Sequence, residues 1–369
     1  MAEALKNHFG PEIIRLWAGW LEESLPGFRR RDFLTRALAG FDDLELMGRG
    51  RHLGEVVAAH LPENFPRASR VLRRILETAP PPPEGNPISS FVFMPAGVVA
   101  ATRGLHHFPE SMALLKALTK RFTSEFAIRP FLRHHPEACF ALLRDWTSDP
   151  DEHVRRLVSE GTRPRLPWAE RVPALLRDPR PGLELLEVLK DDPAEYVRRS
   201  VANHLNDIGK DHPSHLISVA RRWGRGADAP RLRLLRHALR SLVKAGHPEA
   251  LGVLGFGEPA RVVLTESSVR PARVRLGQKV EISATLTARE ETRVLLDYRI
   301  HFRKANGGTS GKVFKGTTME LREGESKSWR TSFAAVQRST RALYPGVHLV
   351  EICLNGQVQT LGRFELLDG

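Results

Sequence analysis

Asp149-Pro150-Asp151-Glu152-His153-Val154-Arg155-Arg156 recurs as Asp192-Pro193-Ala194-Glu195-Tyr196-Val197-Arg198-Arg199, 43 residues later. In both copies an Asp-Pro turn opens a helix, because proline fixes φ at a helical value and costs no hydrogen bond in a first turn. A period inside the ~40–47-residue window marks HEAT-type helical pairs, which bury their apolar faces only by stacking into a curved solenoid with a concave side. Weaker copies flank the pair at 109–130 with 136–147, and at 230–244 followed by His247-Pro248-Glu249.

Working outward, apolar residues recur at three and four up to Gly257, the helical period. Beyond it the pattern alternates or is β-branched, in seven runs: 261–264, 280–286, 293–302, 312–321, 328–333, 347–354 and 357–366. Turn signals separate them, among them Asn306-Gly307-Gly308, Glu323-Gly324 and Asn355-Gly356. The expectation is a mainly α chain with two domains: a HEAT-like α-helical solenoid over 1–257 and a small immunoglobulin-like β-sandwich over 262–369.

Composition narrows the function. With 41% hydrophobic and 27% charged residues, the chain reads as an ordinary folded protein. Its most apolar run, Phe91 to Ala101, is interrupted by Pro95 and Gly97 and is too short to span a bilayer, so no membrane partner is expected. The N-terminus does not read as a secretory signal. Cys139 and Cys353 lie far apart, so neither a zinc site nor a disulfide framework is expected, and a reducing cytoplasm suits the chain. His106-His107, His134-His135 and His212-x-x-His215 lack the acidic or cysteine context of a metal site, and no Walker or dinucleotide motif is present; no metal and no cofactor are expected. The net charge of +13 favours a polyanion, and residues 262–369 carry +6 of it, so both domains are basic.

Spacing on the repeated helices arranges that charge. Residues four apart share a helix face, which aligns Arg156 with Glu160, Arg199 with Asn203 and Asp207, Arg121 with Glu125, Arg129 and Arg133, and Arg236 with Arg240. Three carboxylates, Glu125, Glu160 and Asp207, thus sit among arginines. The same spacing suits the structural Asp/Arg ladder of HEAT helices, and exposed pairs of this kind contribute only ~0.3–0.5 kcal/mol. Beyond Glu160 the chain leaves as Gly161-Thr162-Arg163-Pro164-Arg165-Leu166-Pro167-Trp168, a proline-fixed basic loop with an aromatic tip. Such a loop can contact phosphates and stack on a base or sugar.

The stretches 119–132, 159–168 and 196–213 resemble the AlkC branch of the bacterial HEAT-repeat DNA alkylation-repair glycosylases. The resemblance covers the helical domain, and some members of that branch carry an immunoglobulin-like domain like the one expected here. It implies hydrolytic removal of cationic N3-methylated bases, 3-methyladenine and especially 3-methylcytosine, from double-stranded DNA without flipping the lesion into a closed pocket. It carries the functional positions onto Glu125, Arg156, Glu160, Trp168 and Asp207.

Those residue types suit the chemistry. A cationic base departs as a neutral molecule, so the work left is to stabilise an oxocarbenium-like sugar and to position water, tasks for carboxylates such as Glu160 and Asp207. Trp168 can pack on the deoxyribose or the lesion edge, and Glu125 either shares the acid role or pairs with Arg121 or Arg129. Arg156, Arg163, Arg165, Arg199 and Lys210 are the candidate DNA contacts. The expected partner is double-stranded DNA containing alkylated bases, bound by a monomer. The alternative is a non-catalytic HEAT-repeat scaffold that binds DNA or an acidic protein.

Overall fold

Each Asp-Pro turn is an Asx turn that starts a helix. Asp149 Oδ1 accepts from the Asp151 N–H at 3.0 Å and Asp192 Oδ1 from the Ala194 N–H at 2.9 Å, ahead of helices Glu152–Gly161 and Glu195–Asp211. The two arginines that follow have separate tasks. The first folds back: Arg155 Nη1 donates to the Asp149 and Pro150 carbonyls at 2.8 and 3.1 Å, and Arg198 Nη1 to those of Asp192 and Pro193. Arg155 also grips Asp192 through two nitrogens at 2.6 and 3.0 Å, which ties one repeat to the next. One repeat upstream, Lys116 Nζ reaches Asp149 at 2.5 Å. The motif's Asp and first Arg therefore form the structural ladder, and the second Arg is left for another use.

The computed structural model describes residues 5–81, 88–338 and 341–368; parts of both expected domains, at 1–4, 82–87, 339–340 and 369, lie outside the described residues. Fifteen α-helices among the described residues precede the strands. Two compact units divide at Asp211/His212, namely Met1–Asp211 and His212–Gly369. In the first unit helix Leu46–His60 packs on Met94–Arg103, Phe65–Thr78 on Phe108–Thr119, and Glu152–Gly161 on Glu195–Asp211, around a core that includes Leu118, Ile128, Phe131, Leu157, Val201 and Leu205. The second unit holds the last three helices together with the sheets. There Asn355 Nδ2 donates to the Glu258 and Arg293 carbonyls at 3.0 Å each, and Arg293 lies over the Phe256 ring.

One predicted helix row does not exist. Helix Phe108–Thr119 ends before Arg121, the chain turns through 120–128, and helix Arg129–His134 starts afresh. Pro130 forces the restart because it cannot occupy a helix interior. Ser124 Oγ then donates to the Leu115 carbonyl at 2.8 Å and fixes the turn. Arg121 and Glu125 consequently leave the row, while Arg129 and Arg133, together on the restarted helix, both donate to Glu170. Arg121 donates to the carbonyls of Leu76, Ala79 and Pro80 at the end of helix Phe65–Thr78, and Arg103 does the same with Ala58, Pro62 and Glu63. Arg49 caps four further carbonyls, those of Lys6, Phe9, Asp42 and Leu44. Arg49, Arg103 and Arg121 therefore close backbone carbonyls and do not form a continuous basic row.

The strands form an immunoglobulin-like pair of sheets. They are β1 (Val262–Arg270), β2 (Arg273–Val274), β3 (Lys279–Ala288), β4 (Thr292–Arg303), β5 (Thr309–Leu321), β6 (Ser326–Ala334), β7 (Gly346–Leu354) and β8 (Gln357–Leu366). One sheet runs β1-β3-β6 and the other β2-β8-β7-β4-β5, with Val280, Ile282, Leu296, Ile300, Val350 and Ile352 among the buried residues between them. All seven expected strands are present. The eighth, β2, is two residues paired parallel to β8 and too short to leave a periodic signal. Asn355 and Gly356 have φ of 46° and 83°, the left-handed pair that a tight I′ hairpin turn between β7 and β8 requires.

Candidate active site

In the first unit the second Arg of the motif opens onto a cleft of about 570 Å³ lined by Glu125, Arg156, Glu160, Arg163, Trp168 and Tyr196, among others. Its floor is a ribbon of alternating charge. Arg156 Nη1 donates to Glu125 Oε2 at 2.5 Å and to Thr123 Oγ1 at 3.2 Å, while Nη2 lies 3.5 Å from Glu160 Oε1. The same Glu160 oxygen accepts from Arg163 Nη1 at 2.6 Å. Arg163 Nε continues to Asp207 Oδ2 at 2.8 Å, and Lys210 Nζ ends the series on Asp207 Oδ1 at 3.0 Å. Three acids and three cations thus alternate from Glu125 to Lys210, most of them buried.

Burial opposes the charge on Arg156, yet Glu125 and Glu160 hold its guanidinium above the ordinary range. Arg163 behaves alike, with burial outweighed by Glu160 and by the bond to Asp207. The two carboxylate partners of Arg156 are fixed in turn by neutral donors. Thr123 Oγ1 donates to Glu125 Oε2 at 2.7 Å, and a hydroxyl relay runs from Ser159 to Ser200 and on to Glu160 Oε2, 2.6 Å at each step. Tyr196 lies beneath Arg156, with the guanidinium carbon 5.3 Å from the ring centre, and burial raises its phenol above the usual range.

Behind the relay is His204, fully buried, with Nδ1 3.0 Å from the Ser159 carbonyl. Burial pushes its pKa down to about 4. The imidazole is therefore neutral in the folded protein, with the proton on Nδ1. Because the folded value lies below the unfolded one, the stabilisation is complete above pH 6.5 and is lost as pH falls through about 4. The gap corresponds to about 3 kcal/mol. Urea midpoints measured from pH 7 to pH 4 are expected to fall steeply, and the fall is expected to flatten in His204→Gln; an identical acid limb in the two proteins would refute the assignment.

Trp168 is the conspicuous residue at the rim. It is 67% exposed and adopts φ 63°, a left-handed conformation that a bulky residue holds only when its surroundings impose it. The imposing group is Arg129, fully buried, whose Nη1 donates to the Gly161 and Arg163 carbonyls at 3.0 and 2.9 Å and whose Nε donates to the Glu170 carbonyl at 2.5 Å. The clamp joins the two feet of the Trp168 loop. Gly161 permits it, since a Cβ there would come within 2.9 Å of Ile128 Cγ2. Burial, then the Arg163 and Arg171 cations, lower the Arg129 pKa to about 10, so its charge persists at neutral pH.

Glu125, Arg156, Glu160, Arg163 and Trp168 meet at the cleft. Glu125 pairs with Arg156 and with neither Arg121 nor Arg129. Asp207 belongs to the ribbon but does not line the cleft; it is 1% exposed and lies behind Arg163. Arg163 is itself buried, with Nε and Nη1 on the two acids. Arg165 pairs with Asp211 at 2.5 and 2.7 Å on the half-open flank that also holds Lys210. Arg199 is exposed beside Glu195 and does not line the cleft. The sequence reading missed Thr123, Tyr196 and Ser200, and gave Arg129 a place in a helix row but not its role as the clamp of the Trp168 loop. Only Tyr196 left a signal, an aromatic residue before Val-Arg-Arg in both repeats, and the His153 and Tyr196 rings meet edge to face 5.5 Å apart.

Among the described residues no group of three His, Cys, Asp or Glu is placed to hold a metal ion, and no helix is long and apolar enough to cross a membrane. Residues 263–368 match the family described as the C-terminal Ig-like domain of the uncharacterised protein YhaZ. Over 363 residues the chain is 36% identical to uncharacterized protein YhaZ of Bacillus subtilis (strain 168), covering 98% of this chain and 99% of that one. Among solved structures, the Pseudomonas fluorescens alkylpurine DNA glycosylase AlkC bound to DNA containing an abasic site analog is 36% identical, with a TM-score of 0.92 over 99% of this chain and 100% of that chain. The likeness spans helices and sheets alike.

Proposed function

The chain belongs to the family of YhaZ and the alkylpurine DNA glycosylase AlkC, and on that premise we propose that it is a monofunctional DNA glycosylase of base excision repair acting on cationic N3-methylated bases, 3-methyladenine and 3-methylcytosine, in duplex DNA. The observation that carries the reading is the buried acid–arginine ribbon that opens beside a strained, exposed tryptophan. A ladder needs neither the exposed Trp168 nor a carboxylate facing the cleft.

In the proposed reaction the C1′–N bond breaks with its electron pair passing to the base. The base, cationic while attached, leaves neutral. Water oxygen bonds to C1′, and its proton passes to a carboxylate and then to solvent. Glu160, with both oxygens fixed by Arg163 and Ser200, is preorganised to stabilise the positive sugar without reorientation. Glu125, on the opposite side of Arg156, faces the same cleft. Asp207 supports Glu160 through Arg163. Trp168 packs on the deoxyribose or the lesion edge, and its exposure suits reading a base that stays stacked in the duplex. Arg165, Arg199 and Lys210, all partly exposed, are the proposed phosphate contacts.

Free-base release from duplexes carrying 3-methyladenine or 3-methylcytosine tests the reading. The wild type is expected to release base, and Asp207→Asn to slow release by at least roughly tenfold. Binding that falls steeply with salt, without any release, would refute the enzyme and favour the scaffold.

A further inference from the structure

A second cavity, of about 310 Å³, adjoins the cleft in the same unit. Phe122, Thr123, Phe126 and Trp168 line both. The two sides differ in chemistry. The cleft has the ion-pair ribbon as its floor. The second cavity is walled mainly by apolar residues, among them Phe122, Phe126, Met47, Met94 and Trp168; its polar lining is Arg51, Glu55, Thr102, Thr123, Arg129 and Glu170. Arg51 and Glu55 lie one helical turn apart on helix Leu46–His60, and neither shows an ion pair or a side-chain hydrogen bond among the described residues. Its volume is at the lower end for small-molecule sites, which suits a ligand of one or two rings, and polar groups set in a mainly apolar wall are the usual makeup of such a site.

Resting on the glycosylase reading, we propose that this second cavity binds the free base after excision, and thus that the two cavities match the two charge states of the base. Before cleavage the base is a cation and is attracted by the carboxylates of the cleft. Heterolysis of the C1′–N bond neutralises it, and the attraction to Glu125 and Glu160 goes with the charge. A neutral, planar heteroaromatic ring then gains from aromatic and thioether walls. Glu55 can accept from its exocyclic amine and Arg51 can donate to a ring nitrogen. The shared wall at Trp168 makes the transfer a short one. Methionine at 47 and 94 adapts to either a purine or a pyrimidine.

Equilibrium dialysis with 3-methyladenine, at low and at high salt, and inhibition of turnover by the same compound test this. The wild type is expected to bind the free base with an affinity that changes less than twofold with salt, as befits a neutral ligand, while its binding of DNA falls steeply. Ala101→Phe, which fills the cavity from a wall the cleft does not share, is expected to weaken the free base at least roughly tenfold and to leave single-turnover base release within about twofold. Glu55→Gln, at an exposed position, should weaken it less, with the same single-turnover rate. Base release by a wild type that neither binds nor is inhibited by 3-methyladenine would overturn the inference alone, as would inhibition unchanged in both variants. No base release by the wild type would overturn the reading beneath it.

Discussion

Glu160→Gln is expected to lower base release by about 10²–10³-fold, the loss typical of removing one preorganised electrostatic group from a transition state. The carboxylate is at the centre of the ribbon, with Oε1 accepting from Arg163 and Oε2 from Ser200, both at 2.6 Å. An amide has one accepting end. Facing Ser200, its NH₂ would meet a hydroxyl that already accepts from Ser159; facing Arg163, it would set donor against donor. Either way a buried polar group loses its partner, at about 1–3 kcal/mol. The negative charge that would face a developing oxocarbenium ion is also gone. Affinity for undamaged duplex is expected to change by less than about threefold, since the phosphate contacts lie elsewhere. Release from methylated duplex should be measured under single turnover alongside that affinity. A rate within threefold of the wild type would remove Glu160 from the chemistry.

The period of the repeat made much of this site legible. Arg156 and Glu160 share a helix face as their spacing requires, and Asp207 lies one turn beyond Asn203, the counterpart of Glu160 in the next repeat. What spacing does not encode is which side of a cation faces the cleft. Arg163, read as a phosphate contact because it sits in a proline-fixed loop, turns inward since two buried carboxylates lie within reach. Counting in fours puts Arg129 and Arg121 on one row across a segment that Pro130 and Ser124 break. Both instead close backbone carbonyls left open by helix ends and a loop. That need arises only after the chain has folded, so net charge overstates how much arginine is available to a polyanion. The strands were legible because each is long enough to alternate, and β2, at two residues, is not.

Replacing Arg129 with Met or Lys is expected to cost the enzyme as much activity as losing Trp168, although Arg129 touches no part of the cleft floor's ion pairs. Its guanidinium holds the carbonyls of Gly161, Arg163 and Glu170, and each carbonyl left without a donor costs about 1–3 kcal/mol. The conformation they secure is expensive too, since a left-handed φ on a tryptophan costs about 1–3 kcal/mol. Lysine keeps the charge but offers a single nitrogen where three carbonyls converge. The loop then relaxes Trp168 toward an ordinary φ and displaces its ring. A shift of ~1 Å at a positioning group can lower a rate about 10²-fold. Thermal unfolding would register the packing loss in either variant, so activity in a double-mutant cycle is the deciding measurement. If Arg129 acts by placing Trp168, Arg129→Lys should slow base release about 10²-fold in the wild type and less than about threefold in Trp168→Ala. Losses that multiply in the double variant would show that Arg129 supports the cleft by some route other than the Trp168 loop.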